Sequence, residues 1–94
     1  MNIYLVEQDV NNCYDTYDSF VVVAENEGVA KHTSPSEFYI WKNEVWNFYY
    51  SDGTYEPSSH FDWCLPSDVK VTLIGEADKK YTETTVLLAS FNAG

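Results

Sequence analysis

The sequence predicts a single α+β domain: a mostly antiparallel β-sheet of about five to six strands, in the order ββαββββ, with one short helix on a face. Three observations lead there. Most segments repeat their apolar residues with period two, the signature of half-buried strands. In the first half of the chain only Glu25 to Thr33 carries helix signals. The run Phe38 to Tyr50 reads FYIWKNEVWNFYY, seven aromatics in thirteen residues with no helical period. At 94 residues the chain can bury one modest core without obligatory staples, so residues 1–94 are expected to form one domain.

Residues Asn2 to Gln8 alternate, Ile3 and Leu5 on one side and Tyr4 and Val6 on the other, as a first strand. Asp9 to Asp15 is a turn region marked by Asn11 and Asn12. Phe20 to Ala24 is apolar on both faces, as expected of a central strand covered by a helix. Asn26 can cap the helix that follows, and Glu27 suits the positive end of its dipole. Gly28 weakens that helix by roughly 1 kcal/mol relative to Ala and Pro35 ends it, so it must be short.

The aromatic run reads as a hairpin turning at Asn43 and Glu44. Lys42 then faces Val45, Trp41 faces Trp46, Ile40 faces Asn47 and Tyr39 faces Phe48. Such cross-strand pairs contribute roughly 0.2 to 1 kcal/mol each and hold the register, because a one-residue slip would turn the row outward. Ser51-Asp52-Gly53 supplies turn chemistry after it. Thr54 to Asp68 reads as a long surface loop pinned by Phe61 and Trp63, with a turn of helix at Pro66-Ser67-Asp68. Val69 to Gly75 and Thr84 to Phe91 complete the sheet.

Composition narrows the function. Aromatics make up 17% and apolar residues 45%, which argues against disorder. Fifteen Asp and Glu stand against five Lys and no Arg, a net charge of −10. Such a chain lacks the cations that release phosphate counterions, so direct nucleic-acid binding is disfavoured and partners of opposite sign, basic proteins or metal ions, are favoured. It also lacks the bidentate clamp that arginine gives to phosphate or carboxylate substrates. The first residues show no basic signal region, and no apolar run approaches membrane-spanning length. The expected location is the cytosol, away from membranes.

Cys13, His32, His60 and Cys64 are every cysteine and histidine in the chain. Two of each would suit tetrahedral zinc, but no paired-cysteine knuckle is present and only His60 and Cys64 lie close in sequence. A thiol nucleophile at Cys64 or Cys13 would need a cationic neighbour, and the flanking Asp62, Asp68, Asp9 and Asp15 push the other way. No phosphate loop, nucleophile elbow or dinucleotide fingerprint occurs. The expectation is no enzyme, no metal and no cofactor; a small enzyme or metal site at Cys64, His60 and Asp62 is the third reading.

The segment Tyr14-Asp15-Thr16-Tyr17-Asp18-Ser19 offers two readings. Its carboxylates can make Asx turns while its tyrosines roof the sheet. Alternatively it is a contact patch, tyrosine supplying rigid area and aspartate charge. The base-free stretches 1–30 and 43–69 hold six and five acids. They either form one negative surface or are scattered and solvated. The candidate partner-binding residues are Tyr14, Asp15, Tyr17 and Asp18, with Asp52 from the turn before the long loop and Glu56 and Asp62 from the loop itself.

Three segments carry a family resemblance: the Tyr14 to Ser19 run leading into Val21 to Ala24, Val69-Lys70-Val71-Thr72-Leu73-Ile74-Gly75-Glu76-Ala77, and Leu88-Ala89-Ser90-Phe91-Asn92-Ala93-Gly94. Together they resemble small uncharacterised proteins encoded by phages, prophages and mobile elements. In size and acidity the chain is also similar to anti-CRISPR and other anti-defence proteins. That likeness implies an acidic inhibitor occupying a basic, nucleic-acid-binding surface of a host protein or nucleoprotein complex. The alternative is a structural or assembly module of a phage or mobile element, as a monomer or as a homodimer through a sheet edge or aromatic face.

Overall fold

The structure is a computed structural model, and it describes residues 1–11, 16–58 and 62–92. Among them lie seven strands, one α-helix and one 3-10 turn: β1 (Asn2–Glu7), β2 (Thr16–Ala24), α1 (Glu27–Lys31), β3 (Tyr39–Lys42), β4 (Val45–Tyr49), β5 (Tyr55–Pro57), the 3-10 turn (Pro66–Asp68), β6 (Lys70–Glu76) and β7 (Thr85–Asn92). The α+β expectation holds, but the strands divide into two antiparallel sheets where one was expected. A four-stranded sheet runs β6-β1-β2-β7 and a three-stranded sheet runs β3-β4-β5.

The valine-rich strand β2 lies inside the larger sheet, paired to β1 and β7. Val22, Val23 and Ala24 have no exposed surface, as a strand with neighbours on both edges and cover on a face requires. Tyr4, Val6, Phe20, Val22 and Ala24 form the core together with Ala30, Trp46, Trp63 and Cys64. Asn26 caps α1, its side chain accepting from the Val29 amide at 2.9 Å. The helix is five residues, as short as Gly28 and Pro35 require, and it lies against β1, β2 and β6.

The hairpin adopts the register expected from its aromatic pattern: Tyr39 pairs Phe48, Ile40 pairs Asn47, Trp41 pairs Trp46 and Lys42 pairs Val45. Trp41 and Trp46 meet edge to face at 5.1 Å, and Tyr39 and Phe48 at 5.7 Å. Beyond it, Tyr55 to Pro57 was expected to be loop. It is β5 instead, pairing Tyr49 with Tyr55 and Phe48 with Glu56. A turn makes this possible: the Gly53 amide donates to the Tyr50 carbonyl at 3.0 Å, with Gly53 at φ +90°, a conformation glycine adopts without penalty.

The outer strands of the larger sheet depart from the simple alternation. Leu73 in β6 is 60% exposed and Leu88 in β7 is 69% exposed. Register irregularities lie between Ile3 and Tyr4 in the β1–β6 ladder and between Val21 and Val22 in the β2–β7 ladder. Each inserts an unpaired residue and resets which side chains face the core. A third lies between Tyr17 and Ser19, with Thr16 buried on one side of it and Asp18 exposed.

No helix among the described residues is long and apolar enough to cross a membrane.

Candidate functional site

The stretch Asp62 to Cys64 fastens the two sheets together through three successive carbonyl oxygens. That of Asp62 accepts from the Tyr17 amide of β2 at 3.0 Å. That of Trp63 accepts from the Asn11 side chain at 3.0 Å, and that of Cys64 from the Trp46 indole of β4 at 2.8 Å. Asn11 is itself set by Gln8, whose side-chain oxygen accepts from the Val10 and Asn11 amides while its nitrogen donates to the carbonyls of Asn11 and Tyr17. Every polar atom of the buried Gln8 side chain is thereby used, as a buried amide requires.

Two side chains on this strap are not so well served. Among the described residues, Asp62 Oδ1 and Trp63 Nε1 are buried without a hydrogen-bond partner. Burial lifts the Asp62 carboxyl above its ordinary range. The phenols of Tyr17 and Tyr39 are also raised, first by burial and then by the Asp62 charge. Asp62 is thus bonded to Tyr17 through its backbone and lies within electrostatic reach of both phenols.

The candidate contact residues fall into separate groups. Tyr17 and Asp62 belong to the seam between the sheets. Asp18 is exposed on β2. Asp52 and Glu56 belong to the β4–β5 turn and to β5, the outer strand of the smaller sheet. There Asp52 Oδ1 accepts from the Thr54 amide at 3.0 Å and its hydroxyl at 2.6 Å, which holds the carboxyl below its usual range. Glu56 accepts from the Tyr50 hydroxyl, a bond that raises the phenol. Tyr14 and Asp15 lie outside the described residues, as do Cys13, His60 and Phe61.

Cys64 is a poor nucleophile. It is buried, and burial followed by the Asp68 charge pushes its thiol up to about 12. Neutral pH leaves almost none as thiolate. His32 is exposed at the end of α1, its Nδ1 engaged with the Gly28 carbonyl at 2.8 Å. Among the described residues no group of three or more His, Cys, Asp and Glu side chains is placed to hold a metal ion.

Exposed aromatic surface gathers on the smaller sheet. Phe38 is 55% exposed, Tyr50 39% and Tyr55 46%. Phe38 lies parallel to Phe48 with centroids 6.2 Å apart, and Phe48 meets Tyr50 at 5.0 Å. Phe38 also borders an open hollow of about 570 Å³ beside Tyr17, whose charged lining is Glu37 and Glu83. Sequence reasoning used Tyr39, Trp41, Trp46 and Phe48 to build the hairpin and passed over Phe38 and Tyr50. The available signal was their position at the ends of the aromatic run, beyond the pairs the core consumes.

Compared with known proteins, the chain matches no family model, no curated protein and no solved structure.

Proposed function

We propose that the chain is a non-enzymatic, phage-type acidic binding protein that inhibits a host defence nucleoprotein complex, in the manner of an anti-CRISPR, by occupying its basic nucleic-acid-binding surface in the host cytosol. One observation carries this reading: the net charge of −10 is presented outward. Every described Asp and Glu except Asp62 is exposed. Exposed carboxylates favour encounter with a basic surface and repel nucleic acid, and their field is screened by salt. Within the contact set, Glu56 stands beside exposed aromatic area, bonded to Tyr50 outside the set, and Asp52 lies on the turn that precedes it.

The test is capture from a host lysate with elution on a salt gradient, followed by measuring the nucleic-acid binding of the captured complex. The expected result is loss of that binding when the protein is added, and recovery when the double variant Asp52→Asn, Glu56→Gln replaces it. A variant that still blocks equally well, or capture insensitive to salt, overturns the reading.

A second reading, a structural or assembly module, is favoured by a different observation. Leu73 and Ile74 on β6, and Leu87 and Leu88 on β7, are exposed on the two outer strands of the larger sheet. Outer strands bearing apolar side chains are surfaces for pairing with another chain. Sizing chromatography with light scattering separates the readings: a monomer at micromolar concentration removes a self-assembling module.

A further inference from the structure

The aromatic hairpin is more than a core device. Its rings form a graded row: Trp46 is 2% exposed, Trp41, Tyr39 and Phe48 are partly buried, and Phe38 and Tyr50 emerge into solvent. The emergent rings are held in place by their neighbours. Phe48 touches Tyr39, Phe38 and Tyr50, and Tyr50 is tied through its hydroxyl to Glu56 on the adjacent strand. Such surface is pre-ordered, so a ligand binding it loses little side-chain entropy.

Its electrostatic surroundings are of one sign. Glu56 pairs with Phe48 across the ladder, and Glu37 precedes Phe38. The charged residues lining the hollow that Phe38 borders are Glu37 and Glu83, without a lysine. Ring faces bordered by carboxylates complement a planar cation: a guanidinium stacks on the ring, keeps its edge for carboxylate hydrogen bonds, and sheds water more readily than an ammonium.

We propose that the ridge of Phe38, Phe48 and Tyr50, with the adjoining hollow at Glu37 and Glu83, is a docking surface for an arginine-bearing basic segment of a partner protein. One guanidinium stacks on the ridge beside Glu56, and the segment continues through the hollow past Tyr17. This rests on the acidic-binding reading and deepens it by naming the side chain recognised and the place that recognises it.

Octa-arginine and octa-lysine peptides are the probes, with binding followed by calorimetry at low and moderate salt. Octa-arginine is expected to bind about threefold to tenfold more tightly than octa-lysine, since only the guanidinium stacks as well as pairs. Phe38→Ser should remove most of that preference, and Glu56→Gln should weaken octa-arginine by about threefold. Glu25→Gln, an exposed acid before α1, should leave the arginine preference intact. Because Phe38 and Glu56 are both exposed, neither variant is needed for folding, and circular dichroism checks each.

Equal binding of the two peptides, or a preference untouched by Phe38→Ser, overturns the docking surface while leaving an acidic binding protein in place. Failure of both peptides to bind at low salt overturns both.

Discussion

The indole nitrogen of Trp46 donates to the carbonyl oxygen of Cys64 at 2.8 Å, joining the smaller sheet to the strap that Tyr17 and Asn11 hold against the larger one. Both residues are buried. Trp46→Phe leaves that carbonyl without its donor and a void where the indole was. The expected loss is about 2 to 4 kcal/mol in urea unfolding. Trp41→Phe, at a partly buried ring, should cost distinctly less, and equal losses would show that the strap bond contributes little.

Asp62 should make stability depend on pH. Burial raises its carboxyl in the folded state above the value it has unfolded, so ionisation disfavours folding. The penalty is complete above the folded value and vanishes as pH falls below the unfolded one. Asp62→Asn is therefore expected to stabilise the protein near neutral pH and to lose that advantage on acidification through the carboxylate range. Urea midpoints of both proteins across that range check it, and an advantage constant into acid would contradict it.

The Cys64 thiol should be inert while the protein is folded. With burial and Asp68 pushing it up to about 12, the reactive thiolate is scarce, and the 4% exposure of the residue limits access. In a Cys13→Ser background, Ellman's reagent is expected to leave Cys64 unmodified in native protein and to label it fully in urea. Rapid native labelling would revive it as a candidate nucleophile.

At the hairpin turn, Asn43 and Glu44 have φ of 54° and 62°. Asparagine tolerates this left-handed region, whereas glutamate pays a steric penalty there, and two-residue turns of this shape favour glycine at the second position. Glu44→Gly is expected to raise stability by about 1 kcal/mol. Thermal unfolding measures it, and a drop in midpoint would mean that the turn is not strained.

The hairpin register was legible because it is local. Period-two alternation on both sides of a two-residue turn leaves one pairing that keeps Tyr39, Trp41, Trp46 and Phe48 on a common face. The Asn26 cap and the 3-10 turn at Pro66–Asp68 were legible for the same reason: the residues that specify them are within three or four positions of one another. The candidate site was less legible. Glu56 was singled out for charge, but its bond with Tyr50 depends on β5, which the proline at position 57 disguised as loop. Proline is tolerated there because β5 is the outer strand of its sheet.

By itself the sequence determined the fold class, the central position of β2, the hairpin register and the outward surplus of negative charge. Each follows from composition or from patterns a few residues long. Only the tertiary structure decided that the strands separate into two sheets, that Asp62 is drawn to the seam within electrostatic reach of Tyr17 and Tyr39, and that leucines of β6 and β7 face outward. These outcomes rest on pairings such as β1 with β6 and on bulges within them. Which distant strands pair, and where one residue is left over, is settled by the packing of the whole chain, and no local period encodes it.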